Sequence, residues 1–503
     1  MSKYIMTLDS GTTSCRTIIL DKKGNTVSMA QQEFTQFFPQ SGWVEHDAYE
    51  IWNTQRTTIV NAKHKAKIKS TDIEALGVTN QRETIVVWDK ETGYPVYNAI
   101  VWQDGRTAKY CNELIKQGYN DMFKQKTGLV INPYFSGTKL KWILENVESA
   151  KDKLKKGSLL AGTIDTWLIW KLTNGKVHAT DVSNASRTLL FNINTQEWDD
   201  EILKLLNIPK EILPEVRPSS GDYGIVEPII FSRNAKGKVP ITGVIGDQQG
   251  ALFGQLCTEV GDIKNTYGTG CFTLVNTGTK PILSKNGLLT TIAWKINEEE
   301  TVYAIEGSVF IAGASIQWLR DAMKIIYDAS HSDLYVDMVK DNQRIYMVPS
   351  FTGLGAPYWD SSAKGAIYGL TRGTKREHII KATLESIAYQ ANDLFNAMSQ
   401  DLKRPLNKVS VDGGVSRSDY LMQFQASISD IHLEKPENIE STALGASFLA
   451  GLHVGFWTKE ELKTIRKVDK NYNSIIKPQE RELLLKGWSA AIKRTKGWEN
   501  DIK

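Results

Sequence analysis

The sequence predicts an α/β fold built from two related halves that face each other. Three observations carry this. Short apolar runs of strand character alternate with helical stretches through the first half, the pattern of an α/β chain. A strand, a Gly-Thr-rich turn and a second strand open the chain (IMTLDSGTTSCRTIILDKKG), and the same order recurs in IKNTYGTGCFTLVNTG at 263–278. At 503 residues the chain has room for about three average domains or two large ones.

In order, strands are expected at 4–8, 75–79, 85–88, 158–161 and 241–245, and helices at 48–65 and 138–147. The second half starts after about Gly254, with a long helix at 377–399, a strand ending in VDGG at 409–414, and helices at 419–429 and 441–452. Residues 351–357, rich in Gly and Pro, predict a structured loop.

Composition removes several classes. Apolar residues at 41% and charged residues at 23% are ordinary for a globular chain. A net charge of +4 gives no reason to expect nucleic-acid binding. No apolar run of about 18 residues is present to span a membrane. The amino terminus enters a strand without the apolar core of a signal peptide. Cys15, Cys111, Cys257 and Cys271 are scattered without a CxxC pair, which argues against zinc or a disulfide framework and suits a reducing cytoplasm.

DSGTTSCR reads as a phosphate cradle. Gly11 lets backbone approach an anion, and successive amides in a turn form an anion-binding concavity. Thr12, Thr13 and Ser14 add hydroxyl donors, and Arg16 can pair with phosphate oxygens through two parallel N–H bonds. Asp9 repels phosphate but can hold Mg²⁺ through water. YGTG at 267–270 offers a matching turn from the other half. The chain has no GxxxxGK[ST], so it is not a P-loop protein, and no GxGxxG, which argues against a dinucleotide-binding Rossmann site. VDGG and AGASIQW (312–318) each read two ways: as packing and turn glycines, or as room for an adenosine.

On the acceptor side, Asp247 in GDQQGALFG sits where a strand gives way to a helix. It is an N-cap, or a base at the carboxyl end of a strand, kept ionised by the helix N-terminus. Arg82 and Glu83 of TNQRET form a solvated hairpin, or a donor and an acceptor gripping a polyol. Trp102 and Tyr134 can supply an apolar wall and a hydroxyl, though aromatics are usually core. His46 reads as structural.

Taken together, DSGTTSCR, GWVEHD, TNQRET, NAIVWQD, YFSGTKLKWILEN, DTWLIWKLT, NASRTLLFNI, GDQQGALFGQL, NTYGTGCF, AGASIQWLRD, FTGLGAPYWD, VDGG and ALGASFLAGL resemble the FGGY carbohydrate kinases over nearly the whole length. The resemblance implies two ribonuclease-H-like domains of the actin and hexokinase type flanking a catalytic cleft, divided as 1–254 and 255–503. It implies ATP and Mg²⁺, with TNQRET and GDQQ pointing to glycerol as acceptor. Carried over, Thr12, Thr13, Ser14 and Arg16 handle phosphates, and Asp9 and Asp247 are the carboxylates near the metal. Arg82, Glu83, Tyr134, Asp247 and Gln248 bind glycerol between Trp102 and Phe272, with Asp247 as base. Thr269, Gly313, Gln317, Gly414 and Ser418 face the nucleotide. Ser418 departs from the Asn found in many relatives. EPIIFSRNAKGKVP lacks the evident regulatory features of some relatives, so control by fructose 1,6-bisphosphate or by a phosphotransferase is not expected. A homodimer or homotetramer follows by analogy. An actin- or Hsp70-like ATPase, or a kinase for another polyol or ketose, is the competing reading.

Overall fold

In the computed structural model, which describes residues 3–501, the recurring motif becomes a doubled topology. The first sheet contains β1 (Tyr4–Ser10), β2 (Ser14–Leu20), β3 (Thr26–Glu33), β4 (Ile73–Asn80) and β5 (Val239–Gly246), with spatial order β5-β4-β1-β2-β3. The second contains β6 (Ile263–Tyr267), β7 (Cys271–Gly278), β8 (Val302–Val309), β9 (Lys408–Asp412) and β10 (His432–Pro436), with order β8-β7-β6-β9-β10. Both orders are 3-2-1-4-5. In both, the first two strands form an antiparallel hairpin and the first and fourth pair in parallel. The echo seen in sequence is thus a repeated sheet.

Central strands are covered on both faces, so β1, β4 and β5 read as nearly continuous buried runs. The helices that matter for the site are α1 (Asp247–Gly254), α2 (Gly313–Asp321), α3 (Arg376–Leu402), α4 (Asp419–Ser429) and α5 (Ser441–His453). α5 leaves its own sheet and packs on α1, β4 and β5 of the first half. Its small residues permit this: a Cβ on Gly445 would lie 1.9 Å from the Gly250 carbonyl oxygen. An apolar cluster holding Ile5, Ile18, Leu274, Ala304 and Phe448 joins the two halves.

Residues 79–84 do not form a hairpin. They carry the chain from β4 in the first sheet to Ile85–Asp89, which belongs to a separate four-stranded sheet with Glu45–His46, Ala99–Ile100 and Leu159–Thr163. The solvated-hairpin reading of TNQRET fails for that reason, and Arg82 and Glu83 are both 2% exposed. The predicted helix at 419–429 matches α4, and the other expected elements fall within a few residues of their observed ends. Among the described residues no helix is long and apolar enough to cross a membrane.

Candidate active site

The two hairpin turns are alike in which backbone groups they leave free. In the first, Gly11 N–H donates to Ser14 O (3.0 Å). The carbonyls of the turn accept from the protein: Gly11 O from Gln81 Nε2 (3.1 Å), Thr12 O from Gln36 Nε2 (3.1 Å) and Thr13 O from Phe34 N (3.3 Å). The amides of Thr12 and Thr13 donate to no described group. His46 sits behind this turn, bonded to Gln36 (2.7 Å) and Gln81 (3.3 Å), and burial pushes it down to about 4, so it is neutral and structural.

In the second turn, Gly268 O accepts from Gly313 N (3.0 Å), and Thr269 O accepts from Ala312 N (2.8 Å) and Ala314 N (3.1 Å). The amides of Thr269 and Gly270 are left without described partners. With carbonyls committed inward, each turn presents net positive backbone dipoles, an anion-binding concavity. Gly270 is required by the fold, since a Cβ there would lie 2.4 Å from Val309 O, but Gly11 and Gly268 are not. A Cβ on Gly11 or Gly268 would make only ordinary contacts, at 3.4 Å and 3.7 Å, and neither has positive φ.

Trp102 ties the turns together. Its Nε1 donates to Thr12 Oγ1 (3.0 Å), and its ring meets Phe272, two residues past the second turn, edge-on at 6.2 Å. Arg16 forms ion pairs with Asp9 and with Glu440, a residue of the second half that sequence reasoning missed. The Arg16 guanidinium is raised above its ordinary range, chiefly by the Asp9 charge. Ser14 Oγ accepts from Gln31 Nε2 (3.1 Å).

Beyond the second turn lies a cavity of about 430 Å³ lined by Thr269, Gly313, Gln317, Gly414 and Ser418. All five nucleotide-facing residues expected from sequence therefore meet there. The glycines of VDGG divide the two readings between them. Gly413 has φ 86° and a Cβ there would lie 2.4 Å from Tyr267 O, so it is required by the turn; a Cβ on Gly414 would meet nothing within 4 Å. Gly414→Val is expected to leave the melting temperature close to that of the parent while raising KM for ATP by about tenfold, roughly 1.4 kcal/mol, checked by steady-state kinetics and thermal unfolding. Ser418 lines the cavity, but its hydroxyl is engaged as the N-cap of α4, accepting from Leu421 N (3.0 Å) and donating to Asp333 Oδ1 (2.5 Å). It offers the nucleotide less than the sequence alone suggests.

The acceptor side is a buried charge network. Arg82 donates to both oxygens of Glu306 (2.6 and 2.9 Å) and to Gln249 Oε1 (3.0 Å), with Nε 3.2 Å from Asp247 Oδ1 and 3.7 Å from Glu83 Oε1. Arg187 donates to Glu83 Oε1 (2.7 Å) and Glu306 Oε1 (3.0 Å). Glu83 has φ 62°, a strained backbone for a non-glycine residue. Arg187 and a bond from Ser136 Oγ to its carbonyl (2.9 Å) hold it there. Burial pushes Glu306 up, but Arg187 and Arg82 outweigh it and bring it to about 2. Glu306, Arg187 and Gln249 were not assigned from sequence.

Inside this frame Glu83 Oε2, Asp247 Oδ2 and Gln248 Nε2 have no described hydrogen-bond partner, and neither does the buried Arg187 Nη1. The rings of Trp102, Tyr134 and Phe272 stand beside one another, with Trp102–Tyr134 centroids 5.6 Å apart. Asp247 is the first residue of α1, whose N-cap is Gly246, so it is not a capping aspartate. Burial pushes its carboxyl up to about 6, more than Arg82 pulls it down, which leaves it ionised at neutral pH. Its side chain is 29% exposed.

Among the described residues no group of three or more His, Cys, Asp or Glu is arranged to hold a metal. Asp9 Oδ1 and Asp247 Oδ2 have no described hydrogen-bond partner, and Mg²⁺ takes one or two carboxylate oxygens and fills its other positions with water and phosphate oxygens.

Two 3-2-1-4-5 sheets, each with a hairpin turn whose amides have no described partner, define the ribonuclease-H-like class of two-domain kinase fold. Comparison with known proteins narrows this. Residues 4–254 match the N-terminal domain, and residues 263–454 the C-terminal domain, of the FGGY family of carbohydrate kinases. The chain belongs to that family. A glycerol kinase of Mycoplasmopsis pulmonis is 66% identical over 502 residues, covering 100% of this chain and 99% of the relative. One from Mycoplasmoides gallisepticum is 63% identical, covering 99% of each. The crystal structure of Plasmodium falciparum glycerol kinase with ADP aligns with TM-score 0.91 at 37% identity, covering 98% of both chains.

Proposed function

We propose that this chain transfers the γ-phosphoryl group of ATP to a terminal hydroxyl of glycerol, giving sn-glycerol 3-phosphate and ADP. The observation that carries the proposal is the trio of free polar atoms on Glu83, Asp247 and Gln248, walled by three aromatic rings, beside two turns with free amides. Carboxylate acceptors, an amide donor and apolar rings are what a small polyol needs, with hydroxyls on one side and C–H groups on the other.

Asp247 accepts the hydroxyl proton as the new O–P bond forms and the bond from the γ-phosphorus to the bridging oxygen of ADP breaks. Phosphoryl transfer asks mainly for positioning and charge neutralisation. The amides of Thr12, Thr13, Thr269 and Gly270, with Arg16, supply fixed positive charge along the phosphate chain. Mg²⁺, when bound near Asp9 and Asp247, neutralises phosphate charge. Thr269, Gly313, Gln317 and Gly414 seat the nucleoside end. In this reading residues 1–254 hold glycerol and phosphates and residues 255–503 hold the nucleotide, and closure between them excludes water. Four free, buried cysteines suit a reducing cytoplasm, and a homodimer or homotetramer is the assembly the family suggests.

ADP release measured with and without glycerol, followed by a panel of polyols and ketoses ranked by kcat/KM, tests the reading. Glycerol is expected to rank first and to be required. Glycerol-independent release favours an ATPase, and a better ketose or longer polyol favours a different kinase.

A further inference from the structure

Lys264 is the second residue of β6 and is 0% exposed. Its neighbours Ile263 and Tyr267 join the apolar core of the second half, while alternation sends Lys264 and Thr266 to the opposite face. There the ammonium donates to Gln248 Oε1 (2.6 Å), Thr266 Oγ1 (3.0 Å) and the Phe272 carbonyl (3.1 Å). All three of its hydrogens are used, and every acceptor is neutral. The charged groups around it are Asp412, Glu306, Arg82 and Asp247, and burial pushes Lys264 down to about 8. A buried ammonium without a directly bonded carboxylate is a poor device for stability, since an apolar side chain of similar size often does as well.

The bond to Gln248 gives the charge a purpose. An ammonium can only donate, so it fixes which end of the amide faces it. Oε1 must turn to Lys264, and Nε2, which has no described partner, must turn to the cleft. The same ammonium holds the strand that carries Phe272, one wall of the pocket. We propose that Lys264 is a positioning residue that locks Gln248 as a hydrogen-bond donor to an oxygen of the acceptor alcohol, and so sets affinity for the polyol from the opposite half of the molecule. This rests on the glycerol reading above.

The test is a double-mutant cycle in the full-length chain with glycerol and ATP, using Lys264→Met, Gln248→Met and both together. Lys264→Met is expected to raise KM for glycerol about tenfold while KM for ATP changes less than about twofold. The double variant is expected to be no worse than Gln248→Met alone, because the lysine acts through that amide. Lys264→Arg, which keeps the donors, is expected to restore part of the glycerol affinity. If Lys264→Met is recovered unfolded, Lys264→Gln carries the same comparison, since it also removes the charge. Additive losses, equal rises in both KM values, or an unchanged glycerol KM in folded variants would overturn the proposal. A parent chain that does not phosphorylate glycerol would instead overturn the reading beneath it, so the two failures are distinguishable.

Discussion

Asp247→Asn is expected to lower kcat for glycerol phosphorylation by about 10²–10⁴-fold, the range general-base help supplies, and to leave ATP affinity essentially unchanged. The amide keeps the shape of the side chain and its bond to Gln248 N (2.8 Å for the aspartate), so positioning of α1 survives while proton acceptance is lost. The parent should also show an acidic limb. Burial raises the Asp247 carboxyl to about 6, so it is ionised and competent above that pH. Below it the protonated carboxyl cannot take a proton, and kcat/KM for glycerol should fall tenfold per pH unit. The asparagine variant should lack that limb. A pH–rate profile of both proteins checks it, and near-parent turnover in the variant would remove Asp247 from the base role.

The second large effect concerns stability. Glu306 joins Arg82 and Arg187, all three essentially buried. Glu306→Gln leaves the two guanidinium groups with Glu83 shared between them and Asp247 beside Arg82 as their remaining carboxylates. Removing one partner of a buried ion pair typically destabilises by about 3–5 kcal/mol, and equilibrium urea unfolding should show a loss in that range. Glycerol affinity should fall too, since Arg82 and Glu83 lose their brace. The pH dependence has a definite sign. Burial opposes ionisation of Glu306, but Arg187 and Arg82 hold it near 2, below its ordinary value of 4.5. Its contribution is therefore complete above about 4.5 and is lost as pH falls through about 2. The glutamine variant should lack this part of the acid sensitivity. Adding Arg187→Met to Glu306→Gln should cost less than the sum of the single losses, because the second change removes an orphaned charge.

Different parts of this arrangement were legible to different degrees in the sequence. The two hairpins were readable because their signature is local: β-branched strands around a short Gly-Thr turn. The doubling followed from seeing that signature twice. The buried network was not readable, because its members are joined only by the fold. Arg82 and Glu306 stand 224 residues apart, and Arg187 and Glu306 stand 119 apart. A glutamate inside YAIEGSV or a lysine inside IKNTY reads as the solvent face of a strand. Only the second half packing against α1 buries Lys264. TNQRET misled toward a hairpin because sequence does not show that consecutive strands enter different sheets. The strain at Glu83, with φ 62°, has no residue-type signal either, since glycine would be the usual choice there. VDGG shows the finer limit. Two adjacent glycines look equivalent, and only the fold shows that Gly413 answers to backbone geometry while Gly414 opens on the cavity.

In the proposed mechanism two hairpin turns from separate halves grip one phosphate chain while Asp247 faces the acceptor. A crystal structure of the full chain with glycerol, Mg²⁺ and a non-hydrolysable ATP analogue tests that most directly. Phosphate oxygens within hydrogen-bond distance of amides in both 12–13 and 269–270, with a terminal glycerol hydroxyl on the Asp247 carboxylate, is the predicted result. Phosphates touching only one turn, or glycerol bound away from Asp247, would contradict it.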